Sequence, residues 1–286
     1  MALTFSILSS LCFGIALVTG RVGLRFLDAR SGAAISIPTA TIIFVVAAPF
    51  ALEMDAFDLR AAALFVVVGL FFPAVVTLFT FRSNEVLGPT VTAAVSGTAP
   101  LFALLGGALV LGERVPAQAA VSTLGVVAGI ALLSWRRNGG PRMGFVGWRL
   151  LWPVAGAVVR GMAQVGAKAG LLLWGNPFAA GLIGYAVSSA TVVGADRLRS
   201  GRGAISRDAV IWFAATGMLN GSAVLLMYAA LNTSPVWMVA PVVASYPLIT
   251  AIASAVFLRD EKISLQAATG AALTVAAIAY LVGSHA

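Results

Sequence analysis

Ten runs of about 20 mainly apolar residues succeed one another along the chain, and the connections between them are short. The runs cover roughly 3–24, 31–52, 60–80, 89–111, 116–135, 149–173, 177–196, 208–230, 235–258 and 264–283. Coiled as a helix, a run of that length matches the hydrocarbon thickness of a bilayer. The runs are solidly apolar and do not alternate as barrel strands do, so helices are the expected form. Charged residues make up only 10% of the chain, against about 25% in soluble domains. The expected fold is an all-α membrane protein with ten transmembrane helices, set in a lipid bilayer and carrying no soluble domain. The opening MALTFSILSSLCFGIALVTG has no basic n-region and no small-residue cleavage site before polar sequence. It reads as the first span rather than a cleaved signal.

Several function classes are excluded at this level. The net charge of +8 comes from basic residues scattered between apolar runs. That is a topology signal of membrane loops, and no nucleic-acid partner is expected. One cysteine, Cys12, and one histidine, His285, cannot build a disulfide framework or a Cys/His metal site. Without a second His there is no Ser-His or Cys-His dyad, and no paired carboxylates lie at depth. No G-x-x-x-x-G-K-[ST] loop occurs. Neither an enzyme, a metal nor a cofactor is expected.

The chain repeats itself. At an offset of 147 residues, Gly14 falls on Gly161, Ala16 on Ala163, Arg21 on Lys168, Gly23 on Gly170 and Leu24 on Leu171. Ala93 falls on Ala240, Pro100 on Pro247 and Leu101 on Leu248 at the same offset. One residue more brings Glu113 onto Glu261 and Gln118 onto Gln266. A nearly constant offset over five spans marks a duplicated five-helix unit, with halves 1–138 and 139–286. Five is odd, so the second copy enters the membrane inverted. Inverted repeats are a signature of secondary transporters, whose cargo site lies near the midplane between the halves. The alternative is a passive channel or pore.

The segments PLFALLGGALVLGERVPAQ (Pro100–Gln118) and PLITAIASAVFLRDEKISLQ (Pro247–Gln266) resemble the two halves of an EamA-type transporter. This is the ten-helix branch of the drug/metabolite transporter superfamily. The shared pattern is a fourth helix with a proline, an acid at its end (Glu113, Glu261) and a Gln opening the fifth (Gln118, Gln266). The resemblance covers essentially the whole chain. It implies a central cavity lined by the first, third, fourth, sixth, eighth and ninth helices. It is weak for substrate, because such transporters handle amino acids, other metabolites and drugs. There are departures: the first helix has Cys12-Phe13-Gly14 where a Trp-Gly pair is common. Residues 1–27 also contain no acid, unlike small relatives that expel cationic drugs.

The most informative single residue is Arg160, halfway along WRLLWPVAGAVVRGMAQVGAKAGLLLWG (Trp148–Gly175), which Trp148 and Trp174 bracket as interfacial aromatics. It lies about 15 Å from either helix end, too deep to snorkel easily. Gln164 and Lys168 follow at i+4 and i+8, forming one basic, hydrogen-bonding stripe. Lys168 has a basic counterpart in Arg21, whereas Arg160 corresponds to Phe13 and Gln164 to Leu17. An asymmetric charge points to substrate recognition; the competing reading is a bond to the carbonyls of a kinked neighbour. Every Asp and Glu lies at a helix end or in a loop, so an anionic group on the cargo is the natural partner of Arg160.

Prolines stand inside spans at positions 38, 49, 73, 100, 153, 241 and 247, where kinks free backbone groups. Such groups are tolerated at depth only against protein or water. Pro100 and Pro247 are the expected kink or gating pair. Ser96, Thr98, Ser245 and Tyr246 beside them, with Thr77, Asn220 and Tyr228, are the further candidates for lining the cavity; interhelical hydrogen bonds are the alternative. The pairs Gly125/Gly129, Gly166/Gly170 and Gly217/Gly221 read as helix-packing motifs, and the choice between monomer and homodimer stays open.

The expected function is a secondary or facilitative transporter, an exporter by preference, of small polar metabolites such as amino acids or related carboxylates. The substrate partner is a small anionic or zwitterionic molecule. No side chain at depth is suited to carry a proton, so facilitated diffusion or exchange is expected. Fourteen of the 18 Lys and Arg fall in odd-numbered loops, two in even-numbered ones and two, Arg160 and Lys168, within a span. The odd loops should be cytoplasmic, with Met1 and Ala286 outside a bacterial-type inner membrane. This is opposite to the usual arrangement in the family it resembles.

Overall fold

The computed structural model describes residues 1–134, 147–197, 205–257 and 265–284. The expected boundary at 138/139, Glu261 and His285 lie outside these residues. The described helices are α1 (Ala2–Gly23), α2 (Ala29–Ala51), α3a (Leu59–Phe71) with α3b (Ala74–Leu87), and α4a (Pro89–Ser96) with α4b (Ala99–Val110). α5 (Ala117–Ser134), α6 (Leu151–Leu173), α7 (Pro177–Arg197) and α8 (Arg207–Thr233) follow. α9a (Val236–Val243) with α9b (Tyr246–Phe257) and α10 (Leu265–Gly283) complete the bundle. Among the described residues, seven stretches are long and apolar enough to cross a membrane, and Ala99–Val110, Ala117–Leu132 and Ala268–Gly283 are shorter apolar helices.

Helix starts follow local chemistry. Asp28 accepts from the N–H groups of Arg30 and Ser31, Asp58 from those of Arg60 and Ala61, and Ser206 from that of Ala209. Each satisfies orphan donors of a first turn. The third span runs on to Leu87, seven residues past its expected end near 80. Arg82, assigned to a loop from sequence, is therefore helical and pairs with Glu85 one turn on, at 2.7 Å.

Three spans are broken at depth. At Phe72–Pro73 the ring removes the N–H that would bond the Gly69 carbonyl. Ser188, from α7 and fully buried, mends the gap: its hydroxyl donates to Gly69 O and accepts from Ala74 N. The breaks in the fourth and ninth spans fall just before Pro100 and Pro247. Thr98 Oγ1 donates to Val95 O and Ser245 Oγ to Val242 O, both at 2.7 Å. Donor and acceptor in the second pair stand 147 residues beyond those in the first.

The same offset governs packing. A Cβ at Gly14 would lie 2.9 Å from Tyr246 O, and one at Gly161 would lie 2.7 Å from Ala99 O. Thus α1 lies on α9b as α6 lies on α4b. α1 also packs along α8, and α6 along α3a and α3b, while α5 and α10 pair with each other to one side. The three glycine pairs are all used within the chain. Gly125 and Gly129 seat Ala277 and Thr274, Gly166 and Gly170 seat Val68 and Phe65, and Gly217 and Gly221 seat Ser36 and Ala40. Large side chains such as Val46, Leu109 and Leu172 point outward, as a lipid-facing surface requires.

A Cβ on Gly217 would collide with the Ser36 carbonyl, which belongs to backbone and cannot turn aside. Gly217→Val should lower stability by about 2 kcal/mol or more. Gly194→Ala, where a Cβ meets nothing within 4 Å, should not. Thermal melts of the two variants in detergent check this.

Candidate functional site

Arg160 is 9% exposed and sits on α6 in the middle of the bundle. Its guanidinium lies over two rings, with Cζ 5.1 Å from the centroid of Phe13 and 5.6 Å from that of Tyr246. Aromatic faces attract a cation most strongly when it is desolvated. They do not replace hydrogen bonds, and Arg160 Nε is buried without a partner. Phe13 and Arg160 are equivalent positions of the two repeats, 147 residues apart. Equivalent residues that touch must lie beside the axis relating them, so this contact marks the centre of the inverted pair.

Two overlapping hollows meet at Arg160. One is lined by Phe13, Pro73, Thr77, Tyr185, Asn220 and Val224 among others, and the second adds Thr92, Ser96 and Tyr246. Pro73 and Asn220 are again equivalents, as are Thr77 and Val224. The walls are symmetric in backbone and different in chemistry. The lining runs from mid-span toward Leu17, Phe81 and Thr92, the end at which the odd-numbered loops lie. Broken backbone at depth lines this space at Pro73, as membrane-buried irregular segments must. Ser96 and Tyr246 line the second hollow together. Tyr185 Oη and Gln164 Oε1 are buried without partners.

The structure gathers five of the sequence-selected residues at the hollow: Arg160, Thr77, Asn220, Ser96 and Tyr246. The others have different surroundings. Lys168 Nζ donates to Leu231 O at 2.7 Å. In a continuous helix that carbonyl would bond residue 235, which is Pro235 and has no N–H, so the ammonium supplies the missing donor. Arg21 makes the matching contact in the first repeat, donating to Asn84 O at 2.8 Å, although there the carbonyl also accepts from Gly88 N. Both donor and acceptor are the equivalents of the second pair. Thr98 and Ser245 bond their own helix breaks, and Ser245 also meets Ser10 at 3.0 Å. Tyr228 is buried beside Tyr185. Pro100 and Pro247 open the second halves of broken helices. Trp174, expected as an interfacial ring, is instead 3% exposed. Its Nε1 donates to Asp55 O and its ring packs on Phe57 and Phe65.

Sequence reasoning missed Phe13, Thr80, Phe81, Thr92 and Tyr185 as lining residues. Phe13 was within reach, as the repeat partner of Arg160. It also missed the work of Glu113. That carboxylate accepts from Val236 N at 3.0 Å and from Trp237 N at 3.4 Å, capping α9a. An acid at a helix N-terminus meets unpaired donors and the positive end of the dipole. Here it also ties the first repeat to the second.

A ten-helix membrane transporter of two repeats, with its hollow on the repeat axis, is the class this architecture defines. The sequence matches the model of the EamA-like transporter family over residues 1–135 and 147–283, and the chain belongs to that family. No curated protein matches it. One crystal structure of a protein with 17% identity superposes with a TM-score of 0.79, covering 98% of this chain and 94% of the other. That likeness shows the fold.

Lys168→Met leaves Leu231 O without a donor in a water-poor setting, and Arg21→Met removes one of the two donors to Asn84 O. Lys168→Met should cost about 1–3 kcal/mol and Arg21→Met less. Thermal melts of the purified variants should rank them in that order; the reverse order would refute the role of Lys168 as the donor that replaces the missing N–H of Pro235.

Proposed function

We propose that the protein carries small metabolites bearing a carboxylate or similar anionic group, amino acids or related carboxylates, by alternating access of its two inverted repeats, in the direction of export. The observation that carries this reading is the buried guanidinium of Arg160, which has aromatic faces around it and no hydrogen-bond acceptor on its Nε. A charge left so at depth is costly unless something else meets it. A bidentate anion would do so. Thr77, Asn220, Ser96 and Tyr246 would contact the remainder of the cargo, with Tyr185 and Gln164 close by. Lys168 supports the site by fixing α6 to α8. Among the described residues no acid lines the hollow, which favours facilitated diffusion or exchange over obligatory proton antiport.

Arg160→Met keeps bulk and removes the charge. Transport should fall at least about 100-fold, since the cargo's anionic group then lacks its partner. The variant should melt no lower than the parent, because a buried unpaired charge has been removed. Proteoliposome counterflow checks the first part: a carrier shows trans-stimulated uptake, a pore does not, and an imposed pH difference should drive no accumulation. Unchanged kinetics in the variant would remove the basis of the reading. A large loss of stability would show that Arg160 serves the fold instead.

The orientation proposed for a bacterial-type inner membrane places the odd loops in the cytoplasm and both ends outside. Alkaline phosphatase fused after Ala286 should be active, and a fluorescent protein fused there should stay dark. The opposite pattern would reverse the assignment.

A further inference from the structure

Within that reading, the hollow has one sign of charge. Arg160 supplies a full positive charge, and the other lining side chains are neutral: the hydroxyls of Thr77, Thr80, Thr92 and Ser96, the amide of Asn220, and apolar or aromatic groups. None of the described acids lines the hollow, and four of them are engaged elsewhere. Glu113 caps α9a, Glu85 pairs with Arg82, and Asp28 and Asp58 cap α2 and α3a. Two aromatic faces that could hold an ammonium, those of Phe13 and Tyr246, already face the guanidinium. The unpartnered Tyr185 Oη and Arg160 Nε both offer hydrogen to an anion.

We infer that the site selects organic acids of net negative charge and discriminates against their zwitterionic α-amino counterparts. The inference rests on Arg160 being the cargo contact. An anion neutralises the hollow. A zwitterion brings its own ammonium to on the order of 5 Å from the guanidinium, where like charges repel strongly in a site of low dielectric. That ammonium must also give up water, and the lining offers it neutral oxygens and aromatic faces but no carboxylate. The aromatic walls formed by Phe72, Phe81 and Tyr185 suit an apolar body on the acid.

The test uses the full-length protein in detergent and matched probes that differ by the ammonium: propionate with alanine, 4-methylpentanoate with leucine, 3-phenylpropionate with phenylalanine. Binding is read by isothermal titration and by thermal shift, in the parent and in Arg160→Met. The expected result is a preference of roughly tenfold or more for the acid within whichever pair binds, lost in Arg160→Met. Equal or tighter binding of the amino acid, still abolished by Arg160→Met, would overturn the selectivity and leave Arg160 as the anion contact. Binding that survives Arg160→Met, or no binding of any probe to the parent, would overturn both.

Discussion

Lipid offers no hydrogen bonds, and the rest of this structure depends on that constraint. Every backbone group inside the bilayer must find a partner within the protein. Where the helices are continuous they supply it themselves. Where they break, a side chain intervenes, either from another helix or from the break itself. Ser188 mends the gap at Pro73, and Lys168 serves the carbonyl that Pro235 cannot serve. Thr98 and Ser245 close matching turns ahead of Pro100 and Pro247. Several polar side chains of the interior are explained by these repairs, and so a polar side chain at depth does not by itself mark a site.

Against that background Arg160 stands apart. Its nearest analogue, Lys168, lies two turns further along the same helix and is fully explained by a carbonyl. Arg160 has rings beside it and an unpartnered Nε. It also lies against its own equivalent in the other repeat, Phe13. A duplicated fold places the two copies of a residue together only at its axis, and in inverted-repeat transporters the cargo site lies near the midplane between the repeats. Symmetry thus provides the position, and the departure from symmetry, Arg against Phe, provides the chemistry.

The connection between the halves at the Glu113 end is electrostatic. A carboxylate held on two backbone donors of α9a joins the fourth span to the ninth. Because α9a ends at the break leading to Ser245 and Tyr246, that contact lies one short helix away from the ring covering Arg160. The Glu113 cap and the hollow are thereby joined through one helix of eight residues.

Sequence by itself determined the number of spans, their helical form, the offset of 147 residues and the presence of a charge at mid-depth. These follow from length, apolarity and spacing, which are local quantities or comparisons of the chain with itself. It also found the paired prolines, because a missing N–H is a property of one residue. Tertiary structure alone decided which polar groups had partners. Gln164, Lys168 and Arg160 share a stripe on one helix, and nothing in their spacing says that Leu231, 63 residues on, takes the lysine while no oxygen takes the Nε of the arginine. Nor does the position of Trp174 at a span end reveal that the loop at Asp55 folds over it and removes it from the interface. Helical periodicity gives depth and face; whether a buried charge is satisfied depends on acceptors brought in by other helices, and that is fixed only when they pack.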